Sequence, residues 1–129
     1  MSEVIVFPDV EAMVVAYLRP PASEAGGSVA TKAPSPLPRL FARVSRVGGS
    51  QRDIATDTAR VLVECWGPDT VTASSFASLM RAHMLAIARA TDSFTRVVDG
   101  GGITYLADPD TNKPRYQFFV QADVRGVAL

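Results

Sequence analysis

Cys65 and His83 are the two side chains that could do chemistry near neutral pH. They are the single cysteine and the single histidine of the chain, and a thiolate activated by an imidazole is a common catalytic nucleophile. A nucleophilic site also needs an orienting group and an oxyanion donor. Cys65 falls inside a predicted strand, where a thiol behaves as a small apolar side chain, and His83 falls within an apolar helical stripe. We therefore expect no catalytic residue, and an enzyme that uses His83 is an outlying alternative.

Asp108 and Asp110 are the candidate metal ligands. The run that begins at Asp108, Asp-Pro-Asp-Thr-Asn-Lys-Pro, is however typical of a hairpin turn. One cysteine and one histidine are too few soft ligands for a zinc site. The glycine run 100–102 has no helix after it, so we interpret it as a bend and not as a phosphate-binding loop. The sequence therefore predicts no metal and no cofactor.

The total charge of the chain is balanced. Lys and Arg together number 13, and so do Asp and Glu. Net charge therefore gives no reason to expect strong binding to nucleic acid or to an anionic membrane. Arg43, Arg46 and Arg52 stand close together in sequence, but strand alternation sends Arg43 and Arg46 to opposite faces. We expect them to be interface or solvated charges.

The length of 129 residues fits one domain, residues 1–129, which can bury a core without disulfide or metal staples. The first residues lack the basic region of a signal peptide, and no apolar run approaches the roughly 20 residues that a membrane span needs. The single cysteine cannot form an internal disulfide, which fits a reducing compartment. We expect a soluble protein that is made in the cytoplasm.

Hydrophobic periodicity and turn residues predict two helices and several strands. Asp9 and Asp69 or Thr70 are the expected helix starts, because carboxylate and hydroxyl side chains cap free amide groups. The fold class is α+β, with one mostly antiparallel sheet packed by two helices. The first predicted helix runs from Asp9 to Pro20–Pro21, and a mostly irregular segment 19–38 with a short strand near 28–33 overlaps its end. Strands 39–47 and 56–66 follow, joined by a loop over 48–55, and then a helix from 69 or 70 to about Arg89. A strand from Phe94 leads to a kink at 100–102 that either splits it or separates two strands, and the last strand is 115–126.

The last strand has one buried face and one that is only partly polar. From Tyr116 onward, every second residue is apolar, which is the period of a strand with one buried face. The opposite side is polar except for Phe119, a large aromatic that a solvated face would not favour. Leu62, Trp66 and Leu85 are further apolar residues outside the predicted core stripes. We therefore predict that Leu62, Trp66, Leu85 and Phe119 form an interface between subunits of an oligomer.

The framework residues of the chain resemble those of tail terminator proteins, the tail-completion or head–tail joining proteins of long-tailed phages and prophages of actinobacteria. The similarity runs over nearly the whole chain in the same order. It is a pattern of framework residues and includes no catalytic signature. The residues that carry it are Phe7-Pro8-Asp9-Val10-Glu11, Leu37-Pro38, Arg43-Val44-Ser45-Arg46-Val47-Gly48-Gly49, Val63-Glu64-Cys65-Trp66, Tyr105-Leu106-Ala107-Asp108-Pro109-Asp110 and Arg115-Tyr116.

The resemblance implies a virion protein at the head-proximal end of the tail. Such a subunit assembles as a hexameric ring, caps the tail tube protein, stops tube growth and docks to the head completion or connector protein. DNA passes through the ring without specific binding. The segment 19–38 and the loop 48–55 are then the expected adaptors, ordered on assembly, and Gly48, Gly49, Gln51, Arg52 and Asp53 form the predicted docking loop. The alternative is a ferredoxin-like or dimeric α+β barrel module that binds a small molecule.

Overall fold

Helices cover one face of a five-stranded sheet. The computed structural model describes residues 4–129. The elements are β1 (Ile5–Val6), α1 (Val10–Glu24), β2 (Ser28–Ala30), β3 (Phe41–Gln51), β4 (Thr56–Trp66), α2 (Thr70–Leu85), α3 (Ile87–Ala90), β5 (Phe94–Tyr105), β6 (Arg115–Arg125) and β7 (Val127–Ala128).

The five strands of the main sheet lie in the order β2-β3-β4-β6-β5. The short strand β2 pairs with β3 in parallel, and the other three pairings are antiparallel. Strands β1 and β7 form a separate antiparallel pair. The predicted fold class, a single α+β domain with a mostly antiparallel sheet packed by helices, is confirmed.

The core lies between the helices and the inward side chains of β4 and β6. Phe118, Val120, Ala122 and Val124 are all buried, and Tyr116 packs partly against them. The alternation predicted for the last strand is therefore confirmed. On α1 and α2 the buried side chains recur every three or four residues, so each helix presents one apolar face to the sheet. The helix residues concerned are Val10, Val14, Leu18, Ala22, Phe76, Met80 and Met84.

Helix α1 begins as predicted but does not end at Pro20–Pro21. The Asp9 carboxylate caps it by accepting from the Ala12 amide at 3.1 Å. The helix continues through both prolines to Glu24, so the predicted end is wrong. Tertiary packing explains the difference, since Leu18 and Ala22, on either side of the prolines, are fully buried. The helix ends in a Schellman motif, in which Gly26 adopts φ +84° and the Gly27 amide donates to the Ala22 carbonyl.

The second predicted helix is interrupted near its end. Asp69 caps α2 by accepting from the Thr72 amide at 2.7 Å. The predicted single helix to about Arg89 breaks at Ala86, whose amide donates to His83 three residues back. A tighter turn of this kind closes α2, and the short helix α3 follows with Ile87 fully buried.

The β3–β4 hairpin is longer than predicted and its loop is shorter. Strand β3 runs to Gln51, so only residues 52–55 form the loop. The register shifts between Arg46 and Gly48, which marks a β-bulge. Gly49 then adopts φ +103°, at a place where a Cβ would overlap the Thr58 carbonyl oxygen. The glycines that suggested a loop are required by a kinked strand in close contact with its partner.

The structure also tests the predictions for the irregular segment 19–38 and for the glycine run 100–102. The segment 19–38 contains the last turns of α1 and the strand β2, so it is less irregular than expected. The glycine run 100–102 does not separate two strands, since β5 continues through it with register shifts on both sides of Gly101.

Candidate interaction surfaces

The sheet face turned away from the helices carries the candidate interface residues, and we call it the open face. Near its centre Leu62 on β4 stands directly opposite Phe119 on β6. Both side chains are half-buried, although they lie outside the main core cluster. The outward residues are Thr58, Arg60, Leu62, Glu64 and Trp66 on β4 and Arg115, Gln117, Phe119, Gln121, Asp123 and Arg125 on β6.

Phe119 is covered from two sides by its own chain. The guanidinium carbon of Arg60 lies 4.1 Å from the centroid of the Phe119 ring, a cation–π contact. Gly101 on β5 lies beside the ring, since a Cβ on Gly101 would stand 3.3 Å from Phe119 Cδ2. The apolar patch made by Leu62 and Phe119 is thus held in place but stays open to solvent.

The Trp66 end of the open face is occupied by a buried ion-pair cluster. Glu64 accepts from Arg43 Nε at 2.8 Å and from Arg115 Nη1 at 3.2 Å. Both guanidinium groups lie over the Trp66 ring, at 5.3 and 5.6 Å from its centroid. The Trp66 indole N–H donates to Asp108 Oδ2 at 2.8 Å. A buried carboxylate needs such partners, because an unpaired buried charge is very costly.

This cluster corrects the prediction for Trp66. Only 2% of Trp66 is exposed within a single chain, so it can contribute little area to a contact between subunits. Its partner Asp108 belongs to the turn that was weighed as a metal site. The backbone amide of Asp110 and the Trp66 indole hold the pKa of the Asp108 carboxyl below its usual value, which favours the ionised form that anchors the turn.

Four arginines gather at the other end of the open face, which we call the basic end. Asp123 is buried there and accepts from Arg52 at 2.7 Å and from the Thr58 hydroxyl at 2.7 Å. Arg60, Arg96 and Arg125 are exposed, and none of the described carboxylates lies within salt-bridge distance of them.

Register brings the basic end together. Arg96 on β5 stands opposite Asp123, and Arg60 on β4 stands opposite Gln121, the next outward residue of β6. Sequence reasoning weighed Arg52 together with Arg43 and Arg46 and missed the other three arginines of the basic end. The alternation of β4 and β6 could have predicted that Arg60 and Arg125 lie on the same side of the sheet as Phe119.

The predicted docking loop is divided by the structure. Gly48, Gly49 and Gln51 lie in β3, which corrects their assignment to a loop. Arg52 and Asp53 lie in the remaining loop and are both engaged, Arg52 with Asp123 and Asp53 with the Ala55 amide at 2.9 Å.

Ile54, between Asp53 and Ala55, is 73% exposed and is the apolar tip of the hairpin. The tip is therefore shorter and more firmly attached to its own sheet than the sequence suggested.

Leu85 does not belong to the open face. It is partly buried and packs against the main core, so the prediction that it lies outside the core stripes is wrong. The break at Ala86 directly after it was not foreseen and changes the direction of the chain there.

A second exposed apolar surface, which we call the apolar ribbon, is formed by β1 and β7 with Val4 and Leu129. Val6 pairs with Val127, and the Leu129 amide donates to the Val4 carbonyl at 2.9 Å. Strand alternation places these four side chains on one side of the ribbon. Their exposed fractions are 57% for Val4, 46% for Val6, 61% for Val127 and 87% for Leu129.

Ile5 lies on the opposite side of the ribbon, where its Cγ2 approaches Gly126 so closely that a Cβ there would overlap it. The apolar ribbon therefore turns Ile5 towards the body and four aliphatic side chains towards solvent. Clustered exposed apolar residues commonly mark contact sites.

Cys65 and His83 are not joined by a hydrogen bond among the described residues. Cys65 is fully buried on the helix side of β4, and burial followed by the nearby Glu64 charge raises the pKa of its thiol. His83 is half-buried on α2, where its ring meets Tyr17 edge-on with centroids 6.4 Å apart. The thiol is thus held in its unreactive protonated form.

A cleft of about 620 Å³ lies over the Trp66 cluster, between residues 33–37 and the turn 108–113. Trp66, Arg43 and Arg115 line it, and the two arginines are already engaged by Glu64. Within residues 4–129, no three His, Cys, Asp or Glu side chains are grouped as metal ligands. No helix in the same range is long and apolar enough to cross a membrane.

No family model matches the chain. No curated protein matches it at a significant level.

Proposed function

We propose that this chain is a tail terminator, a structural subunit that forms a hexameric ring on the tail tube of a long-tailed phage. The observation that carries the proposal is the one-sided covering of the sheet, which leaves Leu62 and Phe119 half-buried on the open face. A sheet in a globular domain is normally stabilised by burial of its apolar positions. A neighbouring subunit would complete that burial.

Ring closure needs two different contact surfaces on each subunit. A head-to-tail contact that closes by rotation is heterologous, so one patch meets a different patch of the next copy. The open face and the apolar ribbon are two such surfaces, and different elements form them. This supports a ring over a twofold dimer, in which one patch would meet itself.

The residues that carry the resemblance to tail terminators come together in the folded chain. Arg43, Glu64, Trp66, Asp108 and Arg115 derive from four separate segments of that pattern and meet in the Trp66 cluster. Glu11 and Arg46 from two of its segments are joined by a hydrogen bond of 2.7 Å from the Arg46 amide. The pattern is thus a set of mutually dependent framework contacts, which supports a shared framework.

The proposed partners are further copies of this chain, the tail tube protein and the head completion or connector protein. The hairpin tip 52–55, with Ile54 exposed, takes the docking role that the sequence assigned to a longer loop. In this proposal DNA passes through the ring without specific binding. The subunit catalyses no reaction and acts as a structural component of the virion.

The experiment is negative-stain imaging of the purified protein together with Phe119→Asp. We expect rings with a central hole from the native chain. We expect a folded monomer from Phe119→Asp, because a charge buried in a subunit contact without a partner is costly. Circular dichroism checks folding, and light scattering after size exclusion gives the mass.

Val71→Asp is the matched control. Val71 is 75% exposed in the first turn of α2, where an added carboxylate is compatible with the helix dipole. It makes the same apolar-to-acid change on the helix side, and we expect it to keep the ring. A native chain that stays monomeric at high concentration, or a Phe119→Asp variant that still forms rings, would count against the proposal.

The small-molecule module stays a second candidate because of the cleft over Trp66, whose volume of about 620 Å³ lies within the range of ligand pockets. The four long strands and the two main helices follow the order α-β-β-α-β-β, which differs from the β-α-β-β-α-β order of a ferredoxin-like domain. This candidate therefore depends on the cleft alone. Compact dimers in the same images, with Trp66 fluorescence that responds to a ligand, would favour it over the ring.

A further inference from the structure

Positive and negative charges are separated on this protein in a way that its net charge conceals. The open face carries six arginines, Arg43, Arg52, Arg60, Arg96, Arg115 and Arg125, and three carboxylates, Glu64, Asp108 and Asp123. The face thus has a formal surplus of three positive charges. Because the whole chain has 13 residues of each sign, the remainder has an equal negative surplus.

The three carboxylates of the open face are engaged elsewhere and do not neutralise the exposed arginines. Glu64 is 5% exposed and is shared by Arg43 and Arg115, and Asp123 is 7% exposed and is bound by Arg52. Asp108 accepts from the Trp66 indole at the opposite end of the face. The surplus is therefore concentrated in the exposed arginines of the basic end, which lie on three neighbouring strands.

The basic end is continuous with the apolar patch. Arg60 lies over the Phe119 ring, and Gln121 separates Phe119 from Asp123 on the outward side of β6. A partner that covers Leu62 and Phe119 must therefore also meet Arg60 and its neighbours. Such a partner would bury these guanidinium groups at a cost unless it brought carboxylates.

We propose that the basic end binds a carboxylate-bearing surface on the next copy of this chain, so that charge pairing sets the orientation of subunits in the ring. This inference rests on the proposed function and names the partner surface of the same face. The partner is a second copy because the rest of the same chain carries the matching negative surplus. The exposed carboxylates on the helix side that can supply it include Glu24 and Asp69.

The open face fits an acidic protein surface better than a nucleic acid. A single-stranded nucleic acid is held by stacking of bases on free aromatic rings along a basic groove. Among residues 4–129, Phe119 supplies the one aromatic ring beside the basic end, and Arg60 lies over it. Arg52, the fourth arginine of this group, is already neutralised by Asp123.

The first test measures self-association of the native chain by sedimentation velocity at 50 and 500 mM NaCl. We expect dissociation to become about tenfold or more easier at the higher salt, because salt screens exposed charge pairs. We expect the double variant Arg96→Glu/Arg125→Glu to lose assembly at both salt concentrations.

The control is Arg19→Glu/Arg89→Glu, which makes the same charge change at two exposed arginines of the helices. We expect it to assemble as the native chain does. If the native chain assembles equally well at both salt concentrations and the Arg96→Glu/Arg125→Glu protein also assembles, charge pairing is overturned while the ring stands. If the native chain is monomeric throughout, the ring proposal fails, and this inference fails with it.

The second test identifies the partner surface directly. Arg96→Lys and Arg125→Lys keep the charge and introduce amines that a carbodiimide can join to carboxylates in contact. In a mixture of ¹⁴N- and ¹⁵N-labelled protein, we expect mixed-label cross-links from the introduced lysines to Asp or Glu outside the open face. Assembled protein without such cross-links would overturn the inference. It would also be overturned if the native chain retarded a 30-nucleotide DNA in a gel, the Arg96→Glu/Arg125→Glu variant did not, and the Arg19→Glu/Arg89→Glu control did.

Discussion

Glu64→Gln tests whether the Trp66 cluster holds the covered end of the open face together. The substitution keeps the shape of the side chain and removes the negative charge that Arg43 and Arg115 share. Loss of one partner from a buried ion pair typically costs about 3–5 kcal/mol of unfolding free energy. The Arg43 side chain is 33% exposed and can be partly solvated, so we place the loss below that range, at about 2–3 kcal/mol.

The assay is equilibrium urea unfolding followed by Trp66 fluorescence, since Trp66 is the only tryptophan and lies in the cluster. For a domain of this size, the expected loss corresponds to a melting temperature lower by about 10 °C. Asp110→Asn is the control, because Asp110 is an exposed carboxylate on the adjoining turn. We expect it to stay within about 0.5 kcal/mol of the native chain.

A double-variant cycle with Arg43→Gln separates coupling from general damage. If Glu64 and Arg43 act together, the double variant loses less than the sum of the two single losses. Strict additivity, or a loss below about 1 kcal/mol in Glu64→Gln, would refute the description of the cluster as a coupled buried ion pair.

Two further predictions concern the hairpin and the turn that border the open face. Gly49→Ala should lower the free energy of unfolding in urea by about 2–4 kcal/mol, because an alanine is strained at φ +103° and its Cβ would overlap the Thr58 carbonyl. Gly102 has open space around it, so Gly102→Ala should keep nearly the native stability. Asp108 has a pKa held below its usual value, so its contribution to stability is present above the unfolded pKa of about 3.9 and is lost as pH falls through the folded pKa. The difference in urea midpoint between the native chain and Asp108→Asn should therefore shrink from pH 6 to pH 3, and a constant difference would contradict the assignment.

Local pattern was sufficient for the strand alternation and the helix starts of this chain. The outward and inward sides of β6 follow directly from the alternation around Phe118 and Phe119, and both helix caps follow from single aspartates. These features depend on residues a few positions apart, which a single sequence displays. The position of Phe119 on an incompletely covered face could likewise be predicted from residues a few positions apart.

Long-range contacts account for what the sequence did not disclose. Pro20 and Pro21 oppose a helix locally, but burial of Leu18 and Ala22 carries α1 through them. Trp66 is apolar and outside the core stripes, yet arginines from β3 and β6 enclose it. Neither outcome can be derived from spacing along the chain, because each depends on which strands become neighbours.

The charge pattern illustrates the same point at the scale of a whole surface. Net charge is a property of composition, whereas the charge of a face depends on register. Arg96 joins the basic end only because β5 pairs with β6 so that Arg96 stands opposite Asp123, and a bulge beside Phe94 sets that alignment. A chain with 13 charges of each sign can therefore present a strongly basic side and an acidic remainder. In the proposed ring, this separation would let each copy offer the next one the charge that it lacks.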